Sequence, residues 1–327
     1  MTGWCLGIDL GGTHLRLRAV RRGETGELVQ TEPYRLRWRV DGADASVDGL
    51  VAAVAQASRD AAQLWFGAPD TTWGAVGFAV AAQLGPDGRT VANAPNLGWR
   101  NEPLADLTAA ALGLAADRVR LLNDLKAIVN GELLLGAARG APSLFAMYAG
   151  TGVGGAFAIG PRVWTGAGGN AGEIGHVKVA GVTALCGCGQ RGCMESVAGG
   201  AAIERRVLAD VAAGLTAPLG DEAPLTAVEA RYVRGETWAV ALWTEVSHAL
   251  SHGLSSAITL FNPAVVLTGG GVLDHAPSLH SLVLRKTLEL TLEVSAANVR
   301  FITGQLADHA GCTGAAAFVL SHRLEET

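Results

Sequence analysis

The sequence predicts an α/β protein with two domains. Segments with the periodicity of strands and of helices alternate from residue 4 to residue 323. A strand, a glycine-rich turn and a second strand begin each half of the chain, at residues 4–20 and 144–159, which indicates an internal duplication. A chain of 327 residues is also longer than one hydrophobic core usually serves. Two domains are therefore expected.

The first half contains a strand–turn–strand unit, a long helix and then a mixed region. Residues 4–8 are apolar and residues 15–20 alternate with period two, which predicts two strands around a tight turn at 9–13. Residues 46–65 have helical spacing, and Ser46 is suited to cap that helix. Two more strands and a helix are predicted at 73–80, 119–122 and 124–135.

The second half repeats this organisation with longer helices. Its predicted strands are 144–148, 156–159, 264–267 and 299–302. Its predicted helices are 194–213, 237–260 and 311–323. Residues 214–224 contain Gly, Thr and Pro and are expected to form a surface loop.

Composition indicates a cytoplasmic enzyme. Apolar residues make up 49% of the chain, enough for sizeable cores, and a net charge of −5 without a basic run argues against a nucleic-acid surface. No apolar run has membrane-spanning length, and the first residues lack the basic and apolar regions of a signal peptide. Three of five cysteines lie close together, so Cys5 and Cys312 are too few for a disulfide framework, and a reducing compartment is expected.

The most informative segment is a cysteine-rich ribbon. His176, Cys186, Cys188 and Cys193 provide one imidazole and three thiols within eighteen residues, the ligand set of a closed structural zinc site. Buried thiols in a turn, or disulfides, are the alternatives, and the glycines between the cysteines favour the metal. Glu173 precedes the ligands, and a second carboxylate, Glu195, follows them. A metal that holds the ribbon would also orient these two side chains.

Three glycine-rich turns predict a phosphate site. Glycines let backbone N–H groups approach an anion, and Asp9 lies where a carboxylate can hold Mg²⁺ through water. The turn at 150–155 matches G-x-G-x-x-G, but a strand-like segment follows it, so a dinucleotide-binding helix is not expected. Two such turns facing one another would instead hold a nucleotide from both sides. The residues predicted to hold nucleotide and Mg²⁺ are Asp9, Gly11, Gly12, Thr13, Gly150, Thr151, Gly152, Gly154, Gly269, Gly270 and Gly271.

These motifs together resemble the ROK family of sugar kinases. The resemblance rests on residues 6–13, 123–124, 150–155 and 172–176 and on the cysteine-rich ribbon, which occur in the family's order across essentially the whole chain. It implies the two-domain hexokinase/actin-like (ribonuclease H-like) fold with a cleft between the domains. The implied domains are 1–122, completed by a C-terminal helix within 305–327, and 123–304, which carries the zinc ribbon.

The resemblance also implies a catalytic residue. Asp124 would be the general base for the C6 hydroxyl of a hexose, and Asn123 would bind the sugar. The residues alone favour a helix N-cap for Asp124, which follows a short strand and opens a helix. Leu122 stands where many relatives carry an acidic residue, and Leu125 and Lys126 replace small residues. These departures leave room for an altered sugar preference.

The implied sugar site draws on both carboxylates that flank the metal ligands. Glu173, His176 and Glu195 match the family's positions, and one nitrogen of His176 is expected to bind zinc while the other reaches the sugar. Asn96 matches a loop that contacts the sugar in relatives, and Trp99 either stacks nearby or anchors this loop.

Three other groups are expected to lie on the surface. His14 follows Thr13, close to the expected phosphate site, but it is expected to be a surface residue without a role in binding. The alternating Arg35, Arg37 and Arg39 predict the exposed side of a strand. Glu245, His248 and His252 are spaced at helical turns and predict a solvated helix face, with a second metal as the alternative.

The predicted activity is that of an ATP- and Mg²⁺-dependent hexose 6-kinase with structural zinc. Glucose is the expected sugar, and D-allose and N-acetylmannosamine are alternatives that the same ligands would serve. A non-catalytic sugar sensor or transcriptional regulator is the alternative of a different class. A strand that begins near residue 4 leaves no room for a preceding DNA-binding domain, so this alternative is disfavoured. No nucleic acid or membrane partner is expected, and relatives suggest a homodimer or homotetramer.

Overall fold

The computed structural model describes residues 3–39, 46–94 and 97–325. The strands are β1 (Cys5–Leu10), β2 (His14–Arg22), β3 (Leu28–Gln30), β4 (Tyr34–Arg37), β5 (Ala75–Val80), β6 (Gln83–Leu84), β7 (Val91–Ala94), β8 (Trp99–Glu102), β9 (Val119–Asn123), β10 (Ser143–Ala149), β11 (Val153–Ile159), β12 (Arg162–Trp164), β13 (Val265–Gly269) and β14 (Arg300–Thr303). The helices are α1 (Val47–Phe66), α2 (Leu104–Ala111), α3 (Asp124–Leu134), α4 (Glu195–Ala198), α5 (Gly200–Ala212), α6 (Pro224–Val233), α7 (Thr237–Phe261), α8 (Gly271–His275), α9 (Pro277–Leu290), α10 (Glu293–Ala296) and α11 (Ala310–Glu325).

The chain forms two compact units. Unit 1 comprises Met1–Gly140, Pro161–Gly169 and Gly304–Thr327, and unit 2 comprises Ala141–Gly160 and Asn170–Thr303. This division differs from the expected one after residue 122, because α3 belongs to unit 1. The reason is packing: Asn130 of α3 donates a hydrogen bond to the Gly314 carbonyl of α11 over 2.8 Å.

Unit 1 is built on a mixed sheet with strand order β3-β2-β1-β5-β9, and β4 also pairs with β2. Strand β1 runs antiparallel to β2 and parallel to β5. A smaller antiparallel sheet contains β6, β7 and β8. Apolar residues of β1, β2, β5, α1 and α2 form the main core of this unit, in which Phe78 and Leu50 are fully buried. Burial of these side chains is the main stabilising term of the unit.

Within unit 1, the backbone of helix α11 lies in close contact with β1, β5 and α3. A Cβ atom on Gly7 of β1 would lie 1.8 Å from the Cys312 carbonyl oxygen, and one on Gly77 of β5 would lie 2.2 Å from that of Ala315. On its other side, a Cβ on Gly314 would lie 1.7 Å from the Ala127 carbonyl oxygen of α3. No larger residue fits these positions without displacing the helix.

Unit 2 also contains a mixed sheet. Its strands follow the order β11-β10-β13-β14, with β10 antiparallel to β11 and parallel to β13. The long helix α7 supplies many of the core residues, including the fully buried Trp243. The indole of Trp243 donates a hydrogen bond of 2.9 Å to Glu229, so its polar atom has a partner inside the core.

Most predicted elements are confirmed to within a few residues, including α1 with Ser46 as its N-cap. The single helix predicted at 194–213 is wrong. The chain is extended at Gly199, which separates α4 from α5. The first residues of α5 instead donate hydrogen bonds to the turn after β10, from Gly200 N to Gly150 O and from Ala201 N to Thr151 O.

None of the helices among the described residues combines the length and the apolar character that a membrane crossing requires.

The close approach of α11 yields a testable prediction. Gly314→Ala should lower the free energy of unfolding by about 1–3 kcal/mol, because the new methyl group meets the backbone of α3. Gly253→Ala in α7 is the matched control, since its Cβ would meet the flexible end of Met194. Urea unfolding of both variants measures the difference. Equal losses of stability would contradict the backbone-contact interpretation.

Candidate active site and metal centre

The first glycine turn connects β1 and β2, and hydrogen bonds to Gly11 anchor it. Gly11 N donates to His14 O over 3.0 Å, and the Trp38 indole donates to Gly11 O over 3.0 Å. Gly12 and Thr13 are exposed, and no atom lies within 4 Å of the position that a Gly12 Cβ would occupy. The turn therefore offers an open, anchored backbone to an anionic ligand.

Asp9 lies at the start of this turn, beside Arg16. The Arg16 Nη1 and Asp9 Oδ2 atoms are 3.5 Å apart, and the second Arg16 amino group lies 3.8 Å from Asp308. The pKa of Asp9 is raised to about 6, mainly by burial; Arg16 lowers it, and the nearby Asp124 and Asp308 carboxylates contribute to the increase. A bound divalent cation would favour the ionised form. The assignment of Asp9 to Mg²⁺ stays a prediction.

Asn123, and not Asp124, is the N-cap of α3. The Asn123 side-chain oxygen accepts hydrogen bonds from Leu125 N at 3.2 Å and Lys126 N at 3.4 Å. Asp124 is the first residue of the helix, and its carboxylate accepts from Leu125 N at 2.9 Å. Burial raises the pKa of Asp124, while hydrogen bonds from the Leu125 backbone and the Asn123 side chain act in the opposite direction. The capping that the residues alone suggested for Asp124 is thus provided by its neighbour.

Two further residues of unit 1 belong to this region, and sequence reasoning assigned a role to neither. Arg16 lies directly opposite Asp9 in the β1–β2 pairing. The period-two alternation that follows the turn could have indicated this pairing from the sequence. Lys126 is buried, and its ammonium group donates a hydrogen bond to the Gly169 carbonyl. It thereby connects α3 to the glycine-rich segment that precedes Gly172 and Glu173 in the chain.

The four predicted metal ligands converge in unit 2. The potential ligand atoms of His176, Cys186, Cys188 and Cys193 all lie within 4.8 Å of one another. The Cys188 and Cys193 sulfurs are 3.7 Å apart, and Cys186 Sγ lies 3.8 Å from His176 Nδ1. Tetrahedral zinc with Zn–S bonds of about 2.3 Å separates two sulfur ligands by about 3.8 Å. The ribbon therefore fits zinc.

The electrostatics of the cluster also suit a divalent cation. Burial raises the pKa of the Cys186 thiol to about 12, so without a metal this group keeps its proton. Lys178 Nζ donates to Cys193 Sγ over 3.0 Å, which partly compensates for the charge of a thiolate. A zinc ion would replace the thiol protons.

The predicted sugar ligands of unit 2 surround this cluster. His176 presents Nδ1 to Cys186, and its Nε2 lies 4.0 Å from Glu173 Oε2. Glu195 Oε2 accepts from Val153 N at 2.9 Å, and Oε1 lies 3.5 Å from Cys186 Sγ. A carboxylate has about four acceptor positions, so Glu195 retains capacity for sugar hydroxyls. The cluster, the Glu195 side chain and the turn after β10 are thus one connected arrangement.

The two glycine turns of unit 2 follow β10 and β13. Strand β11 follows the first turn, as predicted. The G-x-G-x-x-G match therefore does not precede a helix, as a dinucleotide-binding motif would. Gly150 N donates to Gly152 O, which closes the turn. Gly270 has a positive φ of 93° and precedes α8, and its N–H donates to Asp274 at 3.1 Å. A Cβ there would lie 2.6 Å from the Ala149 carbonyl oxygen, so the two turns are adjacent.

The remaining predictions concern single residues. Asn96 lies outside the described residues, so its role stays a prediction. Trp99 is 4% exposed and belongs to the core of unit 1, which supports its role as a loop anchor. His248 and His252 lie on one side of α7 with ring centroids 3.9 Å apart. Among the described residues, only the His176 cluster brings together at least three potential ligands, so a second metal at α7 is not supported.

Comparison with known proteins gives a consistent result. The model of the ROK family matches residues 5–322. The chain is 31% identical over 329 residues to the glucokinase of Streptomyces coelicolor, covering 96% of each chain. The crystal structure of a ROK hexokinase from Thermus thermophilus aligns with a TM-score of 0.80 at 25% identity, covering 99% of this chain and 100% of the other. A ROK family glucokinase from Streptomyces griseus in complex with glucose and AMPPNP aligns with a TM-score of 0.74 at 28% identity, covering 97% and 99%. The predicted hexokinase/actin-like fold class is confirmed.

Removing one ligand should remove the metal. Cys188→Ser is expected to lower the zinc content from about one ion per chain to well below one, because three ligands bind zinc more weakly than four. Elemental analysis of the purified protein measures this. Cys5→Ala, which removes a buried thiol from unit 1, is the control and should retain the metal. Unchanged zinc in the Cys188 variant would refute the site.

Proposed function

Because this chain belongs to the ROK family, we propose that it is an ATP- and Mg²⁺-dependent kinase that phosphorylates the C6 hydroxyl of a hexose, preferably glucose. The observation that carries this proposal is the end-to-end similarity to a glucokinase, at 31% identity over 96% of both chains. Asp124 at the start of α3 supports it, because Asn123 caps the helix and the Asp124 carboxylate is not needed for that role.

Asp124 is proposed as the general base. A carboxylate whose pKa burial raises accepts a proton more readily, which suits removal of the proton from a sugar hydroxyl as it attacks phosphorus. The bond between the terminal phosphorus and its bridging oxygen breaks, and ADP leaves. We assign the ring hydroxyls to Asn123, Glu173, His176 and Glu195. Charge-assisted hydrogen bonds from hydroxyls to Glu173 and Glu195, together with neutral hydrogen bonds from Asn123 and from the Nε2–H of His176, fix the orientation of the sugar.

The phosphates are assigned to the glycine turns. The exposed turn after β1 offers backbone N–H groups and the Thr13 hydroxyl, and Asp9 holds Mg²⁺. The turns after β10 and β13 supply Gly150, Thr151, Gly152, Gly154 and Gly269–Gly271. Mg²⁺ would neutralise the charge that develops on the transferred group. Zinc, held by His176 and three cysteines, has no chemical role in this proposal and fixes the positions of His176 and Glu195.

The sugar itself is tested by comparing kcat/KM for several hexoses with Mg-ATP. Relative to glucose, D-allose and mannose differ in the configuration of one hydroxyl, the two N-acetylhexosamines, N-acetylglucosamine and N-acetylmannosamine, carry an N-acetyl group at C2, and fructose is a ketose. A site built to bind a hydroxyl can reject an analogue that lacks it by about 10⁴-fold. Glucose is expected to give the highest kcat/KM. A higher value for D-allose or N-acetylmannosamine would replace glucose in this proposal. Sugar binding without ADP formation would instead support a non-catalytic sensor.

The base assignment makes its own prediction. Asp124→Asn should lower kcat by about 10²- to 10⁴-fold while sugar binding persists, because the amide accepts no proton. In the unmodified enzyme, kcat/KM should fall as pH falls through the pKa of Asp124, which lies above the ordinary aspartate range. Coupled ADP assays measure the rate, and titration calorimetry measures sugar binding. Asp117→Asn, at an exposed site of unit 1, is the control. A variant that retains most of its turnover would disprove the assignment of Asp124.

A further inference from the structure

Cys188 is the exposed thiol of the cysteine-rich ribbon. All five cysteines of the protein lie in the described part of the chain, and the other four are buried. Cys188 lies at the tip of the ribbon, in a turn whose residues 187–191 are all exposed. A hydrogen bond of 2.8 Å from Cys186 N to Gln190 O closes this turn. A dissolved oxidant would therefore reach the sulfur of Cys188 before that of any other cysteine.

A second sulfur lies close to Cys188. The Sγ atoms of Cys188 and Cys193 are 3.7 Å apart, and a disulfide bond of about 2.0 Å requires them to approach by about 1.7 Å. Cys193 is fully buried, and a backbone bridge pairs it with Lys178. The exposed turn around Cys188 has no such packing to lose, so this turn can supply most of the movement.

Cys186, the third thiol of the cluster, faces other side chains. Its Sγ atom lies 3.8 Å from His176 Nδ1 and 3.5 Å from Glu195 Oε1. Cys186 is also buried, so an oxidant has little access to it. The geometry therefore favours a bond between Cys188 and Cys193, which leaves Cys186 as a free thiol.

Lys178 stabilises the reactive form of Cys193. The Lys178 ammonium donates a hydrogen bond to Cys193 Sγ over 3.0 Å, which offsets the negative charge of a thiolate. As ligands of a divalent metal, Cys188 and Cys193 would both be thiolates, and the thiolate is the nucleophilic form of cysteine. The ribbon thus brings one exposed and one buried sulfur together in a form that an oxidant attacks.

We propose that Cys188 and Cys193 form an oxidative modification site, at which a hydroperoxide converts the two thiolates to a disulfide and the structural metal is released. The Cys188 thiolate attacks one oxygen of hydrogen peroxide, the O–O bond breaks, and a sulfenic acid and hydroxide form. The Cys193 thiolate then attacks the Cys188 sulfur, the S–O bond breaks, and a second hydroxide leaves. The two sulfurs lose two electrons, the peroxide oxygens gain them, and solvent protonates both hydroxides to water.

The disulfide removes two of the four potential metal ligands. The two that remain, His176 and Cys186, hold zinc far more weakly than four residues do. The new bond joins Cys188 to Cys193 near the tip of the ribbon and does not tie down either remaining residue. Oxidation therefore replaces a cross-link across the whole ribbon with one confined to its end.

The consequence for sugar binding rests on the proposed kinase function, in which His176 and Glu195 bind ring hydroxyls. Without the metal, the His176 imidazole is free to rotate. Glu195 begins α4 two residues after Cys193, and its Oε2 atom accepts a hydrogen bond of 2.9 Å from Val153 N. A shift at Cys193 would move the start of α4 relative to that partner. Oxidation should thus weaken sugar binding, whereas the disulfide and the release of zinc do not depend on kinase activity.

The test begins with the zinc-loaded full chain and hydrogen peroxide. A chromogenic chelator should detect release of about one zinc ion per chain, and the mass of the intact chain should fall by about 2 Da. Trypsin cuts this region into the peptides 179–191, which contains Cys186 and Cys188, and 192–205, which contains Cys193. The proposed disulfide joins the two peptides, whereas a disulfide between Cys186 and Cys188 stays within the first. Dithiothreitol with added zinc should restore the mass and the zinc content.

The variant Cys188→His separates oxidation from metal binding. Two cysteines and two histidines are a common ligand set for zinc, so this variant should retain the metal although it lacks the exposed thiol. Peroxide should release its zinc at least about tenfold more slowly than that of the unsubstituted protein. The matched control, Cys5→Ala, removes a buried thiol of unit 1 and should release zinc within about twofold of the original rate. The peptide assignment in the unsubstituted protein tests the cysteine pair independently of this variant.

Three results would each overturn the assigned pair. They are zinc that stays bound in the presence of peroxide, a disulfide confined to peptide 179–191, and equal rates of zinc release from Cys188→His and from the unsubstituted protein. Titration calorimetry with glucose should show about tenfold weaker binding after oxidation, and dithiothreitol with zinc should restore the affinity. Unchanged affinity after complete release of zinc would overturn the coupling to the sugar site.

The kinase proposal fails on a different result. If peroxide joins Cys188 to Cys193 and releases zinc, but the untreated protein forms no sugar phosphate with Mg-ATP, the modification site stands and the kinase proposal fails. If the untreated protein phosphorylates a hexose and peroxide does not form this disulfide, the inference is overturned and the kinase proposal stands.

Discussion

The arrangement of unit 1 depends on the backbone contact between α11 and the elements around it. Glycine is required on both sides of that contact: Gly7 and Gly77 on the sheet, and Gly314 within the helix itself. Gly311 serves the same purpose next to the site, because its Cβ would lie 3.0 Å from Asp9 Cγ. Close packing of this kind leaves little freedom, since interiors relax only partly around added volume. Two carboxylates, Asp9 on β1 and Asp124 on α3, lie on elements that α11 holds in place.

This constraint explains how two acidic groups are maintained in a partly buried position. Arg16 stabilises the ionised form of Asp9, and hydrogen bonds from the Leu125 backbone and from Asn123 stabilise that of Asp124. Burial nevertheless raises the pKa of both carboxyl groups. Their mutual repulsion also contributes to the raised pKa of Asp9. Groups in such an environment destabilise the empty protein and are stabilised by a cation or a proton donor. The proposed substrate and Mg²⁺ would relieve an unfavourable interaction that packing imposes.

The sequence was sufficient for the fold class, for most elements and for the convergence of the four potential metal ligands, because each depends on local periodicity or on close spacing. It was insufficient where the local structure depends on a contact between segments that are distant in the chain. The break at Gly199 arises because α5 donates to the Gly150 and Thr151 carbonyls, about fifty residues earlier in the chain. Asn123 and Asp124 are both good caps, and only the backbone geometry shows which one accepts from the helix. The pairing of Arg16 with Asp9 required the strand register, and the burial of Lys126 required the packed structure.

The cysteine-rich ribbon shows why a metal suits this part of unit 2. Its stability cannot come mainly from apolar burial, since Leu185 is 59% exposed and Val177 is 45% exposed, while Val179 is one of its few buried apolar residues. Isolated bridges such as Lys178 with Cys193 add few backbone hydrogen bonds. A segment with so little intrinsic stability opens easily unless a strong cross-link closes it. A four-coordinate zinc would supply that cross-link, and Glu195, which begins α4 two residues after the ligand Cys193, already accepts a hydrogen bond from Val153 in the turn after β10. The metal would therefore fix the ribbon, the proposed sugar-binding carboxylate and the glycine turn at the same time.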